Sequence, residues 1–230
     1  LSQKITNQQN RLNPQNIYII TESVFSMDGD QSDIKKFVEI TKHFKAYLII
    51  DEAHALGICG QDFKGLSYDC SDQVFARILT CGKSLGSHGA FVLGSSDLKS
   101  YLVNFCKSFI YTTASSPHQV ASVFSALNHF EMYDDEKLQL EKNIKYFRKQ
   151  LKAYGLESRF ITSHSAIQSF KISGNTEAKA IAKQLQNKGF GVKAILYPTV
   201  PKCQERIRIC LHSFNTEKEI FSLLENIYQI

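Results

Sequence analysis

Two short apolar runs, each closed by a polar residue, constrain this chain more than anything else in it. Ala46-Tyr47-Leu48-Ile49-Ile50 ends on Asp51, and Phe75-Ala76-Arg77-Ile78-Leu79 ends on Thr80. Runs of this length, bounded by turn-prone residues, read as buried strands. Ile17 to Thr21 reads as another, followed by the turn Ser26-Met27-Asp28-Gly29-Asp30, and Ala90 to Leu93 as a fourth. Between the first two strands, Ile34, Phe37, Val38, Ile40, Thr41 and Phe44 fall at helical spacing, with Ser32 or Asp33 placed to cap the helix. Leu98–Phe105 and Pro117–Tyr133 also read as helices. Strands alternating with helices predict an α/β fold with a mostly parallel sheet and right-handed crossovers.

The pattern changes after residue 133. Asp134–Tyr154 is a long, charged, amphipathic helix that serves as a connector. Beyond it, short strands at 166–172, 192–196 and 206–211 surround helices at 176–188 and 216–228. The expected division is a large domain over 1–133 and a smaller C-terminal α+β domain over 134–230.

Composition narrows the partners. Hydrophobic residues make up 43% and charged residues 21%, ordinary values for a globular protein. No apolar stretch approaches the ~18–20 residues of a membrane-spanning helix. The net charge of +5 comes without a clustered basic block, which argues against nucleic acid and suits an anionic cofactor or a CoA-type substrate. Six cysteines without CxxC spacing read as reduced thiols in a cytosolic protein. Leu1 is followed by a polar stretch rich in Asn and Gln, so the chain reads as the later portion of a longer one.

The chemistry gathers after the strands. Asp51-Glu52-Ala53-His54 follows one and Thr80-Cys81-Gly82-Lys83-Ser84-Leu85-Gly86 the other. In a parallel sheet, ligands collect outside the carboxyl ends of the strands. An acid, a histidine, a hydroxyl and a lysine at one rim are what a protein needs to hold pyridoxal phosphate, whose aldehyde forms a Schiff base with lysine. Asp51 is placed to keep the pyridine nitrogen protonated, and His54 to bond the phenolic oxygen. Thr80 and Ser26 offer hydroxyls, and no metal is called for. Asp-Glu-Ala-His is also a helicase box, and Gly82-Lys83-Ser84 resembles the end of a P-loop. That loop requires glycine where Arg77 stands, and it should precede the acidic box. Farther along, Pro198-Thr199-Val200-Pro201 reads as an extended stretch. Arg206 and Arg208 would share one face of a strand, either as solvated arginines or as a fork for an amino-acid carboxylate.

At these residues the sequence resembles the α-oxoamine synthases, a branch of the fold-type-I pyridoxal phosphate enzymes. The likeness is carried by Thr21–Asp30, by Asp51–His54 with Gly57 and Gly60, and by Thr80, Gly82, Lys83 and Gly86. It continues through Phe109–Thr113, Ser165–Gln168, Pro198–Pro201 and Arg206–Arg208. The resemblance implies a transferase that condenses an amino acid with an acyl-CoA or acyl-carrier thioester, with Lys83 and His54 catalytic. Ser26, Asp51, His54, Thr80, Lys83, Thr112 and Thr113 would bind cofactor, and Thr199 and Arg208 substrate. It further implies a cytoplasmic homodimer in which Phe109–Thr113, a half-buried, phosphate-facing edge, reaches into the neighbour's site. Ser165–Gln168 and Pro198–Pro201 lean toward the biotin-synthesis branch, which joins L-alanine to a pimeloyl thioester. Glycine C-acetyltransferase, another α-oxoamine synthase and a non-catalytic partner protein of the same fold are the alternatives. Family members also carry an earlier glycine-rich segment that nothing in this sequence matches.

Overall fold

The computed structural model describes residues 1–11 and 16–230. The chain forms two compact units, one of residues 1–23 and 32–132, the other of 24–31 and 133–230. The sequence reading assigns 24–31 to the large domain; in the structure this segment groups with the C-terminal unit.

The first unit opens with helix α1 (Ser2–Arg11), an element not expected from the polar composition there. Strand β1 (Tyr18–Glu22), helix α2 (Ile34–Phe44), and strands β2 (Tyr47–Asp51), β3 (Ala76–Thr80) and β4 (Ala90–Gly94) follow. They form a sheet in the order β1-β2-β3-β4, the first three parallel and β4 antiparallel to β3. Asp33 caps α2, accepting from Lys36 N at 3.1 Å, while Ser32 Oγ donates to the Glu22 carbonyl at 2.7 Å. Ile5, Ile19, Ile34, Val38, Leu48, Ile50 and Val74 form one core cluster, which accounts for the apolar face of α2 and one face of the sheet. Short helices α3 (Ser96–Phe105) and α4 (Lys107–Ile110) and the longer α5 (Pro117–Met132) complete the unit, and none of the three contains a fully buried residue. Ile20 on β1 and Val92 on β4 are 72% and 53% exposed.

In the second unit, α6 (Asp135–Ala153) leads to strand β5 (Ile167–Lys171), α7 (Asn175–Asn187), β6 (Lys193–Ile195), β7 (Arg206–Cys210) and α8 (Glu217–Tyr228). Both β5 and β6 pair antiparallel with the central β7. Phe147, Phe170, Leu185, Ile207, Leu224 and Ile227 are fully buried, so the three helices and the sheet share one core. Asn143 of α6 is buried too, and its amide donates to the carbonyls of His212, Ser213 and Asn215, pinning the loop before α8. That helix starts with a reciprocal cap between Thr216 and Glu219.

Candidate active site

The parallel strands bring their carboxyl ends to one rim. Glu22 is in register with Asp51, Asp51 with Ile78 two residues before Thr80, and Ala90 of β4 returns opposite Thr80. Asp51 Oδ1 accepts from Ala53 N at 2.8 Å, and the Glu52 carbonyl accepts from Ala55 and Leu56 N. These bonds wind residues 52–56 into a turn that carries a half-buried His54.

Lys83 sits in the loop joining β3 to β4. Cys81 N donates to the Gly89 carbonyl, Ser87 N to Cys81, and Gly86 N to Lys83. Cys81 and Leu85, on either side, are 1% and 8% exposed and pack with Leu56 in a second cluster, whereas Lys83 is exposed. The alternation is the positioning device: two buried side chains hold the loop while the lysine between them is presented outward. Burial pushes the Cys81 thiol above its usual range. Gly57 brings the histidine loop against this one. Its φ is +78°, and a Cβ there would lie 2.6 Å from Ser84 Cβ.

Glu52, between Asp51 and His54, is fully buried. It accepts from Ser23 Oγ at 2.5 Å, Ser67 N at 2.7 Å, Leu66 N at 3.1 Å and the Ser67 hydroxyl, and it pairs with Arg77 at 3.5 Å. The sequence reading gives Glu52 no role and uses Arg77 only to exclude a P-loop. Together they fasten the residues just after β1 and β2 to the first half of β3.

In the second unit, residues 24–31 form a hairpin closed by the Val24–Gln31 bridge and by Phe25 N donating to the Asp30 carbonyl. It carries a half-buried Ser26. Burial, and then the neighbouring Asp28 carboxylate, push Asp30 above the usual carboxylate range. Arg206, 5% exposed, forms an ion pair with Asp28 and also donates to the Gln204 carbonyl, so the solvated reading does not hold for it. Thr199 is exposed and lies in a turn, Val200 N donating to the Leu196 carbonyl, where an extended stretch was expected. Asn175 braces the start of this turn, its side chain exchanging two hydrogen bonds with the Tyr197 backbone.

Thr112 and Thr113 are exposed in the segment between α4 and α5, with Phe109 61% and Tyr111 82% exposed. The expected half-buried edge is open in this chain, because neither α4 nor α5 covers it. Just before α5, Ser116 Oγ accepts from Gln119 N at 3.2 Å.

Among the described residues, two buried side-chain polar atoms have no hydrogen-bond partner: Thr80 Oγ1 and Arg208 Nε. Buried polar groups are otherwise almost always paired. Both belong to the small set of residues singled out from the sequence, Thr80 for a cofactor and Arg208 for a substrate carboxylate. A hydroxyl at the sheet rim beside a presented lysine fits pyridoxal phosphate, and a buried guanidinium edge fits a carboxylate.

The fold and these residues place the chain in a known class. It belongs to the aminotransferase class I and II family, whose profile matches residues 2–227. It is 38% identical over 222 residues to an 8-amino-7-oxononanoate synthase of Emericella nidulans, a match covering 92% of this chain and 54% of that protein. It is 28% identical to the crystal structure of 8-amino-7-oxononanoate synthase from Francisella tularensis, with a TM-score of 0.80 over 99% of this chain and 66% of that one. A serine palmitoyltransferase from S. paucimobilis, solved with a bound PLP–myriocin aldimine, shares the fold at a TM-score of 0.88 and 23% identity, over 100% of this chain and 58% of that one. The fold is therefore of the fold-type-I class, and the likeness lies in the α-oxoamine synthase branch that the motifs indicate. The chain spans about half the length of the curated relatives it matches. No described helix is long and apolar enough to cross a membrane.

Proposed function

We propose that the protein carrying this chain is a pyridoxal phosphate-dependent acyltransferase that condenses L-alanine with a pimeloyl thioester, releasing carbon dioxide, in biotin synthesis. The observation that carries the reading is the pair of unpartnered buried atoms, Thr80 Oγ1 and Arg208 Nε, at positions expected to meet cofactor and substrate. When bound, pyridoxal phosphate supplies an aldehyde that condenses with amines and a ring that accepts the electron pair of a carbanion.

The chain's own groups do the rest. Lys83 Nζ would be the amine that holds the aldehyde and the base that takes the proton from the amino acid's α-carbon. Asp51 holds a proton on the ring nitrogen through its negative charge. Thr80 and Ser26 bond the cofactor's oxygens, His54 the phenolic oxygen. Arg208 holds the amino acid's carboxylate, and Thr199 lies on the substrate side. The protein works in the cytoplasm as a symmetric dimer, and Phe109–Thr113, exposed here, reaches the neighbour's site with Thr112 and Thr113 toward its cofactor.

The test has two parts. Titrating the full-length protein with pyridoxal phosphate should give the absorbance of a lysine-bound aldehyde, and Lys83→Ala should abolish it; an unchanged spectrum removes Lys83 from the site. CoA release is then compared for L-alanine and glycine, each with pimeloyl-CoA and acetyl-CoA. Preference for glycine with acetyl-CoA overturns the biotin assignment and favours a glycine C-acetyltransferase. Lysine binding with no turnover on any pair favours a non-catalytic partner protein of the same fold.

A further inference from the structure

Arg206 and Arg208 share one face of β7, and only one of them has a counter-ion. Asp28 is paired with Arg206, while Arg208 keeps a buried Nε with no partner. The hairpin bearing Asp28 lies on that same face. Ser169, the cross-strand neighbour of Arg208, donates to the Met27 carbonyl at 2.8 Å, and Ser163 Oγ donates to the Gly29 carbonyl at 2.9 Å. Gly29 permits this approach: its φ is +73°, and a Cβ would lie 2.3 Å from the Ile167 carbonyl oxygen. Cross-strand neighbours stand side by side on one face, so Met27 is held over the row of Arg208 and Asp28 over the row of Arg206. The other cations on this face, Lys171 and Lys193, are exposed and solvated.

A carboxylate clamped one residue from the neighbour of Arg208 is a competitor for it. We propose that Arg206 is a positioning residue that occupies Asp28 and thereby keeps Arg208 available for the carboxylate of an amino-acid substrate. This rests on Arg208 being the carboxylate-binding residue. Without Arg206, the Asp28 carboxylate turns to Arg208 and the chain fills its own substrate subsite.

Loss of one partner should therefore weaken binding and loss of the other should not, an asymmetry that a purely structural clasp does not predict. In the full-length holoenzyme, the dissociation constant for L-alanine is read from its spectral titration, and folding is checked by thermal unfolding. Arg206→Gln should weaken L-alanine binding about tenfold or more, because a charged competitor is released beside its site. Asp28→Asn should change binding by less than about twofold, and the double variant should return to within about threefold of the parent, since the Asp28 charge is gone. If Arg206→Gln does not fold, Arg206→Met alone and combined with Asp28→Asn gives the same comparison. Equal losses in the two single variants, or a double variant no better than Arg206→Gln, overturn the role. Arg208→Met separates this from the underlying reading: if it leaves L-alanine binding intact, the carboxylate site itself falls, and the role of Arg206 with it.

Discussion

Arg77 Nη2 lies 3.5 Å from a Glu52 carboxylate oxygen, with 6% of one side chain and none of the other open to solvent. A buried pair broken on one side leaves an uncompensated charge, at a cost of about 3–5 kcal/mol. Glu52→Gln should therefore lower the unfolding free energy in denaturant by that order, with Arg77→Met comparable. The double change to apolar residues should not recover the loss, because Ser23 Oγ and the Leu66 and Ser67 N–H groups would lose their buried acceptor.

Thr80→Val separates a cofactor ligand from a structural hydroxyl. Because Oγ1 has no partner within the chain, the methyl replacement should leave the unliganded protein as stable as before, or more stable by up to about 1–3 kcal/mol. Affinity for pyridoxal phosphate should fall about tenfold, the worth of one hydrogen bond to a charged group. A loss of stability without a loss of affinity would reverse the assignment.

Gly57→Ala should act on the lysine loop at a distance. A side chain at φ +78° costs about 1–2 kcal/mol, and its Cβ, 2.6 Å from that of Ser84, pushes on the residue after Lys83. The expected outcome is a modest fall in melting temperature with a larger drop in the rate at which Lys83 captures the aldehyde, followed by stopped-flow absorbance.

Acid should weaken the second unit through Glu205. Its carboxyl accepts from Gly174 N at 2.8 Å, at the start of α7, and this bond holds it below the usual carboxylate range. A lowered pKa means that the stabilisation is present above the unfolded value near 4.5 and is lost as pH falls through the folded one. Denaturant titrations from neutral pH downward should show a decline in the parent below about pH 4.5 that is shallower in Glu205→Gln.

The first unit should bind hydrophobic dyes when this chain is purified alone. Ile20, Val92, Tyr101, Phe105 and Phe124 are between 53% and 72% exposed, and β1 and β4 each have one unpaired edge among the described residues. Exposed apolar faces and open strand edges promote association, so light scattering should rise with concentration more steeply than for a globular protein of this size.

Much of this was readable from local pattern. The strands before Asp51 and Thr80 are apolar runs closed by polar residues, and α2 and α5–α8 show helical spacing. Lys83, Asp51 and Thr80 stand out because their chemistry depends on neighbours a few residues away. What escaped depends on distant partners. Nothing near Arg206 announces that Asp28 will neutralise it, and nothing in Pro198–Pro201 announces Asn175. Glu52 looks like an ordinary acidic residue until Ser23, Ser67 and Arg77 close around it from three separate segments.

Asp28 and Arg206 are 178 residues apart in the chain, and that separation bears on how the protein is made. A ribosome releases the hairpin well before the strand that receives it. In between, the carbonyls of Met27 and Gly29 and the carboxylate of Asp28 lack the partners they have in the folded unit, and Gly29 has no carbonyl to press against. Joining such remote segments requires closing a long loop before any contact rewards it. Docking of the hairpin should then be among the last folding events, forming after β5 and β7 have paired. The same connectivity means that a fragment starting at residue 133 carries a buried arginine whose counter-charge was left behind on another piece.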